Sequence, residues 1–126
     1  GASWGPTLIR QASEQIDLFD LELGKAYEKG YHMLPHPKEI KDLNDKMKLK
    51  AQELIGLVTE QNSDQERLDT LRKEINDASL YLNSWVHDQA KRILDQGKLF
   101  GLVGGDHSSP YGAIQAVSEK NEGDFG

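Results

Sequence analysis

Two long amphipathic stretches occupy the middle of the chain. In each, apolar residues recur every three or four positions and charged residues fill the other positions, which predicts α-helices with one buried face. The first stretch carries this spacing at Ile40, Leu43, Met47, Leu54 and Val58. The second carries it at Leu68, Leu71, Ile75, Ala78, Leu82, Trp85, Val86, Ala90, Ile93 and Leu94. Because only a short connection separates them, we expect an antiparallel helical hairpin over residues 38–96.

The ends of the second helix carry recognisable signals. Ser63 followed by Glu66 matches a capping box, in which the serine oxygen accepts a helix N–H and the glutamate reaches back to the cap residue. Gly97 follows the last regularly spaced apolar residue, and glycine commonly ends a helix in a left-handed conformation. The pattern therefore predicts a start at Ser63 and a stop at Gly97.

The pattern changes after residue 97. Leu99–Val103 is a short apolar run bounded by polar residues and glycines, which predicts a buried strand. Ser109 and Pro110 then predict a helix start, with Ala113, Ile114 and Val117 facing inward. Residues 98–126 thus form a strand, a glycine turn and a helix, half of a βαβ unit. Since a lone strand cannot form a sheet, we expect its partners in further chain, in the N-terminal region or in another molecule.

The first 37 residues are less regular. Leu8, Ile9, Ala12 and Ile16 share one face, which predicts a short helix over residues 6–16. Residues 17–36 are compatible with either a second short helix or irregular packing, and two prolines end any regular element there. The chain begins without Met and stops in a glycine-rich turn, so we expect it to be part of a longer protein.

Composition narrows the class of protein. With a net charge of −6, the 126-residue chain does not suit nucleic-acid binding, which needs clustered Lys and Arg. It has no cysteine, which excludes disulfides and thiolate metal sites. No apolar run approaches the roughly 20 residues that span a bilayer. We therefore expect a cytoplasmic protein that contacts neither nucleic acid nor membrane.

Candidate chemistry lies in the turn after the predicted strand. Gly104 and Gly105 permit unusual backbone angles, and Asp106, His107 and Ser108 follow at the position where open α/β sheets bind ligands. A neutral imidazole there can ligate a transition metal. Taken alone, such a segment is more often a simple connection between a strand and a helix than a metal site. The remaining histidines, His32, His36 and His87, are compatible with ordinary surface or partly buried positions.

Two segments together resemble the ureohydrolase family, which includes arginases, agmatinases and formimidoylglutamases. Residues 101–108 read G-L-V-G-G-D-H-S and resemble the family's G-G-D-H-S signature. Residues 1–10 read G-A-S-W-G-P-T-L-I-R and resemble its N-terminal G-A-x-x-G-P-x-x-I-R segment. The two occur in the family's order, and the chain is similar to an N-terminal fragment of such an enzyme.

The resemblance implies a three-layer α/β/α fold with a mainly parallel sheet and two Mn²⁺ ions at the strand ends. It implies hydrolysis of a guanidinium or amidine C–N bond of arginine, agmatine or formiminoglutamate by a metal-bridging hydroxide. His107 corresponds to the first metal-ligating histidine. Asp106 has a supporting role, and Gly104, Gly105 and Ser108 shape the turn. Homo-oligomers, trimers or hexamers, are implied as well.

The other ligands of the family lie in two further motifs, D-A-H-x-D and D-x-D. Neither occurs in residues 1–126, so we expect these ligands beyond Gly126 and an inactive isolated chain. The hairpin is longer than the family pattern implies; it is expected to cover the sheet, mediate oligomer contacts or border the site. Two alternatives stay open: a non-enzymatic helical interaction module, and a degenerate homologue that has lost its ligands.

Overall fold

The structure, a computed structural model of the 126-residue chain, describes residues 4–61, 64–104 and 108–124. This part is mostly helical, with four α-helices that we name α1 to α4. They span Gly5–Ser13, Lys38–Thr59, Gln65–Asp95 and Tyr111–Lys120, and a 3₁₀ helix, Ala26–Lys29, lies between α1 and α2. Within the described ranges, no helix is both long and apolar enough to cross a membrane.

Helices α2 and α3 form the expected antiparallel hairpin. The guanidinium of Arg67 contacts Glu53, with Nη2 2.6 Å and Nε 2.7 Å from the same carboxylate oxygen. About one turn before Glu53 on α2, Lys50 forms an ion pair with Glu74, which lies two turns after Arg67 on α3. Between these two links Leu71 is fully buried. The hairpin therefore covers the apolar stripe of α3 at Leu71, and two ion pairs lie beside this contact.

The N-terminus of α3 differs from the prediction by one residue. Asp64, rather than Ser63, is the N-cap, and its carboxylate accepts a hydrogen bond from the backbone N–H of Arg67 at 3.0 Å. A carboxylate satisfies one of the unpaired N–H groups and also interacts favourably with the positive end of the helix dipole. The predicted capping serine lies outside the described residues.

The C-terminus of α3 agrees with the prediction. Gly97 adopts a φ of 70°. Its N–H bonds the carbonyl of Leu94 at 2.9 Å, and the N–H of Lys98 bonds that of Ile93 at 3.2 Å. These two bonds make a Schellman motif, in which a left-handed residue satisfies the last carbonyls of the helix.

Helix α4 packs on the C-terminal half of α3. Their shared core consists of Val86, Ala90, Ala113 and Ala116, flanked by the half-buried Leu82, Trp85, Leu94 and Phe100. Gly112 lies so close to α3 that an added Cβ would stand 2.1 Å from the carbonyl oxygen of Asn83. Small residues thus let the two backbones approach closely. Ala113 faces inward as predicted, but Ile114 is half exposed, and the helix begins at Tyr111 with Pro110 as its N-cap.

The contacts show that α3 and α4 run in the same direction. The start of α4 meets Asn83, whereas Glu119, near its end, lies in one groove with Lys91 and Asp95. The chain between the helices must therefore return along α3. From Asp95 back to Asn83 this is about 18 Å at 1.5 Å per residue.

The predicted strand is absent from the structure. Residues 99–103 have no regular secondary structure, and Leu99 is 98% exposed. A strand exists only through ladder hydrogen bonds to a neighbour, and the described residues provide none for this segment. The layers of the expected α/β/α fold are accordingly not formed here. The only bridge among the described residues joins Asp20 to Gly24 in a tight turn.

The N-terminal region has little core of its own. Helix α1 is shorter than the predicted 6–16, and none of its residues is buried. The sequence left residues 17–36 open between a short helix and irregular packing. They form irregular structure with one 3₁₀ helix. The turn at Asp20 forms because its carboxylate accepts the N–H groups of Glu22 and Leu23, at 2.9 and 2.8 Å. These bonds hold the pKa of Asp20 below its usual value.

Candidate functional site

The glycine turn lies between the irregular segment and α4. Gly104 and Ser108 are both exposed, and residues 108–110 form a turn that leads into the helix. Gly105, Asp106 and His107 lie outside the described residues, so their predicted roles stay predictions. The structure therefore defines the two flanks of the candidate site.

A single cleft connects these flanks with the N-terminal segment. It has a volume of about 640 Å³. Trp4, Pro6 and Thr7 line one part of it, and Gly104, Ser108 and Ser109 line another. Most of the remaining wall residues belong to α2 and α3, and His36, Leu102 and Val103 add to them. Two segments about a hundred residues apart in the sequence thus border one space, next to the position of His107 in the chain.

A cation–π contact links the N-terminal segment to this cleft. The Nζ of Lys41 on α2 lies 4.9 Å from the centre of the Trp4 ring. Such contacts stabilise by roughly 0.5–1 kcal/mol at exposed sites, and the Trp4 ring is more than half exposed. The contact places the start of α1 beside α2, even though α1 buries none of its own residues.

The walls of the cleft are largely apolar. Helices α2 and α3 contribute a set of hydrophobic side chains: Ile40, Leu43, Met47, Ile75, Ala78, Leu82, Trp85 and Val86. Polar groups are fewer and include His36, Asp45 and Lys48. Mostly apolar walls with a few polar groups are typical of small-molecule sites.

The donor set does not fit a two-manganese centre. Among residues 4–61, 64–104 and 108–124, no group of three or more His, Cys, Asp or Glu side chains could hold a metal ion. Hard divalent ions prefer several carboxylate ligands, and His36 and Asp45 in the cleft do not supply them. With His107 added from the sequence, the chain still offers a single histidine of the family's ligand set. No catalytic step through a metal follows from these residues.

His87 lies between the two parallel helices. Its side chain is 18% exposed, with Nδ1 3.1 Å from Asp88 and Nε2 2.9 Å from Glu119 on α4. The hydrogen bond to Glu119 is the main cause that raises the pKa of His87, Asp88 adds to it, and partial burial opposes it. The same bond lowers the pKa of Glu119. The sequence was compatible with a surface or partly buried position for His87; the side chain is partly buried and links the two helices.

The other histidines occupy different surroundings. His36 lines the cleft, whereas His32 is exposed in the irregular segment before α2. Sequence reasoning missed the link between His87 and Glu119, because 32 positions separate them and no periodicity relates the two. It also gave no indication that Trp4 and Gly104 border one cleft, although each lay in a recognised motif.

Comparison with known proteins identifies the relationship of the chain. The family model described as "Arginase family" matches residues 1–126. No curated protein and no solved structure gave a match. The family consists of ureohydrolase-type hydrolases with an α/β fold, generally manganese-dependent and typically oligomeric. The match covers the whole chain, including the hairpin that carries no family motif. The chain belongs to the arginase family.

Proposed function

We propose that this chain supplies the first metal-ligating histidine, His107, to a dimanganese ureohydrolase. Its substrate class is a guanidinium or amidine compound of the agmatine, arginine or formiminoglutamate type, cleaved at a C–N bond. Asp106 supports the histidine, and Gly104, Gly105 and Ser108 shape the turn. The family match makes hydrolase chemistry the starting point of this proposal.

One observation carries the proposal beyond family membership. The N-terminal motif and the glycine turn border the same cleft, at Trp4, Pro6 and Thr7 on one side and at Gly104 and Ser108 on the other. This shared border is what supports a common site for the two motifs. A cleft with mostly apolar walls and few polar groups suits a small substrate with one charged end.

The parallel packing of α3 and α4 supports an α/β/α fold for the complete domain. In α/β folds, helices on one face of a parallel sheet run in the same direction, because each is followed by a strand that returns. The segment 99–103 returns in this way, and five extended residues span about 17 Å, close to the distance that the chain must cover. Its exposed apolar side chains suit a strand that is covered once neighbours pair with it.

The absence of a metal-holding group among the described residues has a direct consequence. Neither D-A-H-x-D nor D-x-D occurs in residues 1–126. We therefore expect these residues alone to bind Mn²⁺ weakly and to release neither urea nor formamide from the three substrates.

The alternative of a helical interaction module is less well supported. The stripe that would serve a partner includes Leu71 and Ile75, but Leu71 is fully buried and Ile75 is half-buried at the hairpin interface. The part of the stripe at Leu71 is therefore not available to another protein, whereas Ile75 also borders the cleft.

Two measurements test the proposal. The first is the coding sequence after Gly126. An apolar strand ending in D-A-H-x-D would provide the second ligand group, whereas a stop codon or a strand without those carboxylates would refute a dimanganese enzyme.

The second measurement compares Mn²⁺ affinity and product release in the complete protein carrying His107→Ala or the matched control His32→Ala. We expect the first variant to lose both properties and the second, at an exposed histidine away from the cleft, to keep them. Unchanged Mn²⁺ affinity in His107→Ala would remove this residue from the ligand set.

A further inference from the structure

The link between α3 and α4 has the geometry of a proton-dependent contact. Each ring nitrogen of His87 faces a carboxylate oxygen, at 3.1 Å for Asp88 and 2.9 Å for Glu119. A neutral imidazole has one N–H and one lone pair, so it can donate to only one of the two carboxylates. The lone pair of the other nitrogen would then face a carboxylate oxygen, which is a repulsive contact. Only the imidazolium donates to both.

The contact lies beside a close approach of the two helices. An ideal Cβ on Gly112 would stand 2.8 Å from the backbone nitrogen of His87, so the backbone of α4 lies directly against this residue. Glu119, two turns further along α4, reaches back to its ring. The backbone of His87 thus meets the first turn of α4 and its side chain meets the last turn.

The charged groups around His87 favour the protonated ring. Glu119 faces it from α4 and Asp88 flanks it on α3, so both partners are acidic. Lys91 lies one turn further along α3, and its charge contributes to the lowered pKa of Glu119. Its Nζ is 3.7 Å from Oδ2 of Asp95. Lys120 and Glu122 border the same groove and have opposite charges. Among residues 4–61, 64–104 and 108–124, no Lys or Arg forms an ion pair with Asp88 or Glu119.

We propose that His87 is a proton-operated latch: as imidazolium it bridges Asp88 and Glu119 and holds α4 against α3, and on deprotonation it weakens the docking of α4. The latch itself does not depend on the proposed enzyme activity.

The direction of the pH dependence follows from the two groups. The pKa of His87 is raised in the docked state, so the latch is fully formed below the ordinary value of 6.5 and is lost as pH rises through the raised pKa. The pKa of Glu119 is lowered, so the latch also fails when pH falls below 4.5 and through that lowered value. Docking of α4 is therefore strongest in mildly acidic solution.

Hydrogen exchange of the α4 amides tests the latch in the full chain. Protection factors, corrected for the intrinsic effect of pH, are compared at pH 5.5 and pH 8.5, with the α2 amides as internal reference. We expect protection over residues 112–120 to fall by about two- to fivefold at the higher pH, the range for a partly exposed ion pair. His87→Gln should abolish this difference, and His32→Gln should retain it.

Two further readouts keep the test decisive if His87→Gln perturbs folding. Glu119→Gln keeps the side-chain shape and should reduce the pH difference as well. The ring signals of His87 in an NMR titration should show a pKa above the ordinary value of 6.5. Equal protection of α4 at both pH values, a pH difference that persists in His87→Gln, or a His87 pKa at or below 6.5 would each overturn the latch.

Discussion

Replacing Gly112 with alanine tests the close packing of α3 and α4 most directly. The added Cβ would lie 2.1 Å from the carbonyl oxygen of Asn83 and 2.8 Å from the backbone nitrogen of His87. An ordinary contact requires a separation of at least 3.4 Å, so the helices would have to move apart by about 1.3 Å. Both obstructing atoms belong to helix backbone, which cannot rotate away as a side chain would. The core at Ala113 and Ala116 would open with this shift.

The expected loss can be worked out from opposing effects. Forcing extra atoms into a packed interface costs about 1–3 kcal/mol, and more when backbone must move. Alanine at a helical position stabilises the helix by about 0.5–1 kcal/mol relative to glycine, which offsets part of this cost. We therefore expect Gly112→Ala to lower the free energy of unfolding by about 2 kcal/mol, a large part of the 5–15 kcal/mol typical of a domain.

Urea denaturation followed by far-UV circular dichroism and by Trp85 fluorescence measures this loss. Trp85 packs against the core shared by α3 and α4, so its emission reports on that interface, and a Trp4→Phe background removes the second indole. The matched control is Gly56→Ala, since a Cβ at this helical glycine meets nothing within 4 Å. We expect the control to stabilise by about 0.5–1 kcal/mol. A Gly112→Ala variant as stable as wild type, or stabilised like the control, would refute the close approach of α4.

Four other substitutions address the helix ends and the hairpin. Glu122→Gly should stabilise the chain by about 1 kcal/mol in urea denaturation, because Glu122 has a left-handed φ of 52° that glycine adopts without strain; no gain would contradict that backbone angle. Asp64→Ala should lower the free energy of unfolding by about 1 kcal/mol, whereas Ser63→Ala should change it by less than about 0.5 kcal/mol. A larger loss in Ser63→Ala than in Asp64→Ala would contradict Asp64 as the N-cap. Lys50 lowers the pKa of Glu74, so this pair stabilises fully above pH 4.5 and is lost as pH falls through the lowered value. Thermal unfolding between pH 6 and pH 3 should therefore show a smaller loss of Tm in Glu74→Gln than in wild type, and identical losses would exclude the contribution of this pair.

The predictability of the helices has a local cause. Apolar spacing between residues 38 and 96 suffices to predict α2 and α3, because a 3.6-residue period and a short connection are properties of contiguous sequence. The stop at Gly97 was predictable for the same reason, since the left-handed conformation depends on the residue itself. The cap was displaced by one residue because Ser63 and Asp64 are both good caps, and propensity alone does not rank neighbours.

The candidate site was predictable only in part. The motifs around Trp4 and His107 could be recognised from residue order, and the family match over residues 1–126 confirms the relationship that they indicated. That Trp4 and Gly104 border one cleft could not be read from the sequence, since it depends on the contact between Trp4 and Lys41 and on the placement of the chain around residue 104.

The sequence by itself determined the helical hairpin, the end of α3 and membership of the arginase family, because each is encoded by neighbouring residues. Tertiary structure alone decided that Gly112 meets Asn83, that His87 links to Glu119, and that the apolar run 99–103 stays irregular. These outcomes depend on partners far away in the chain or on a sheet neighbour. Local propensity carries no information about whether a distant backbone is present to pair with a strand or to pack against a glycine.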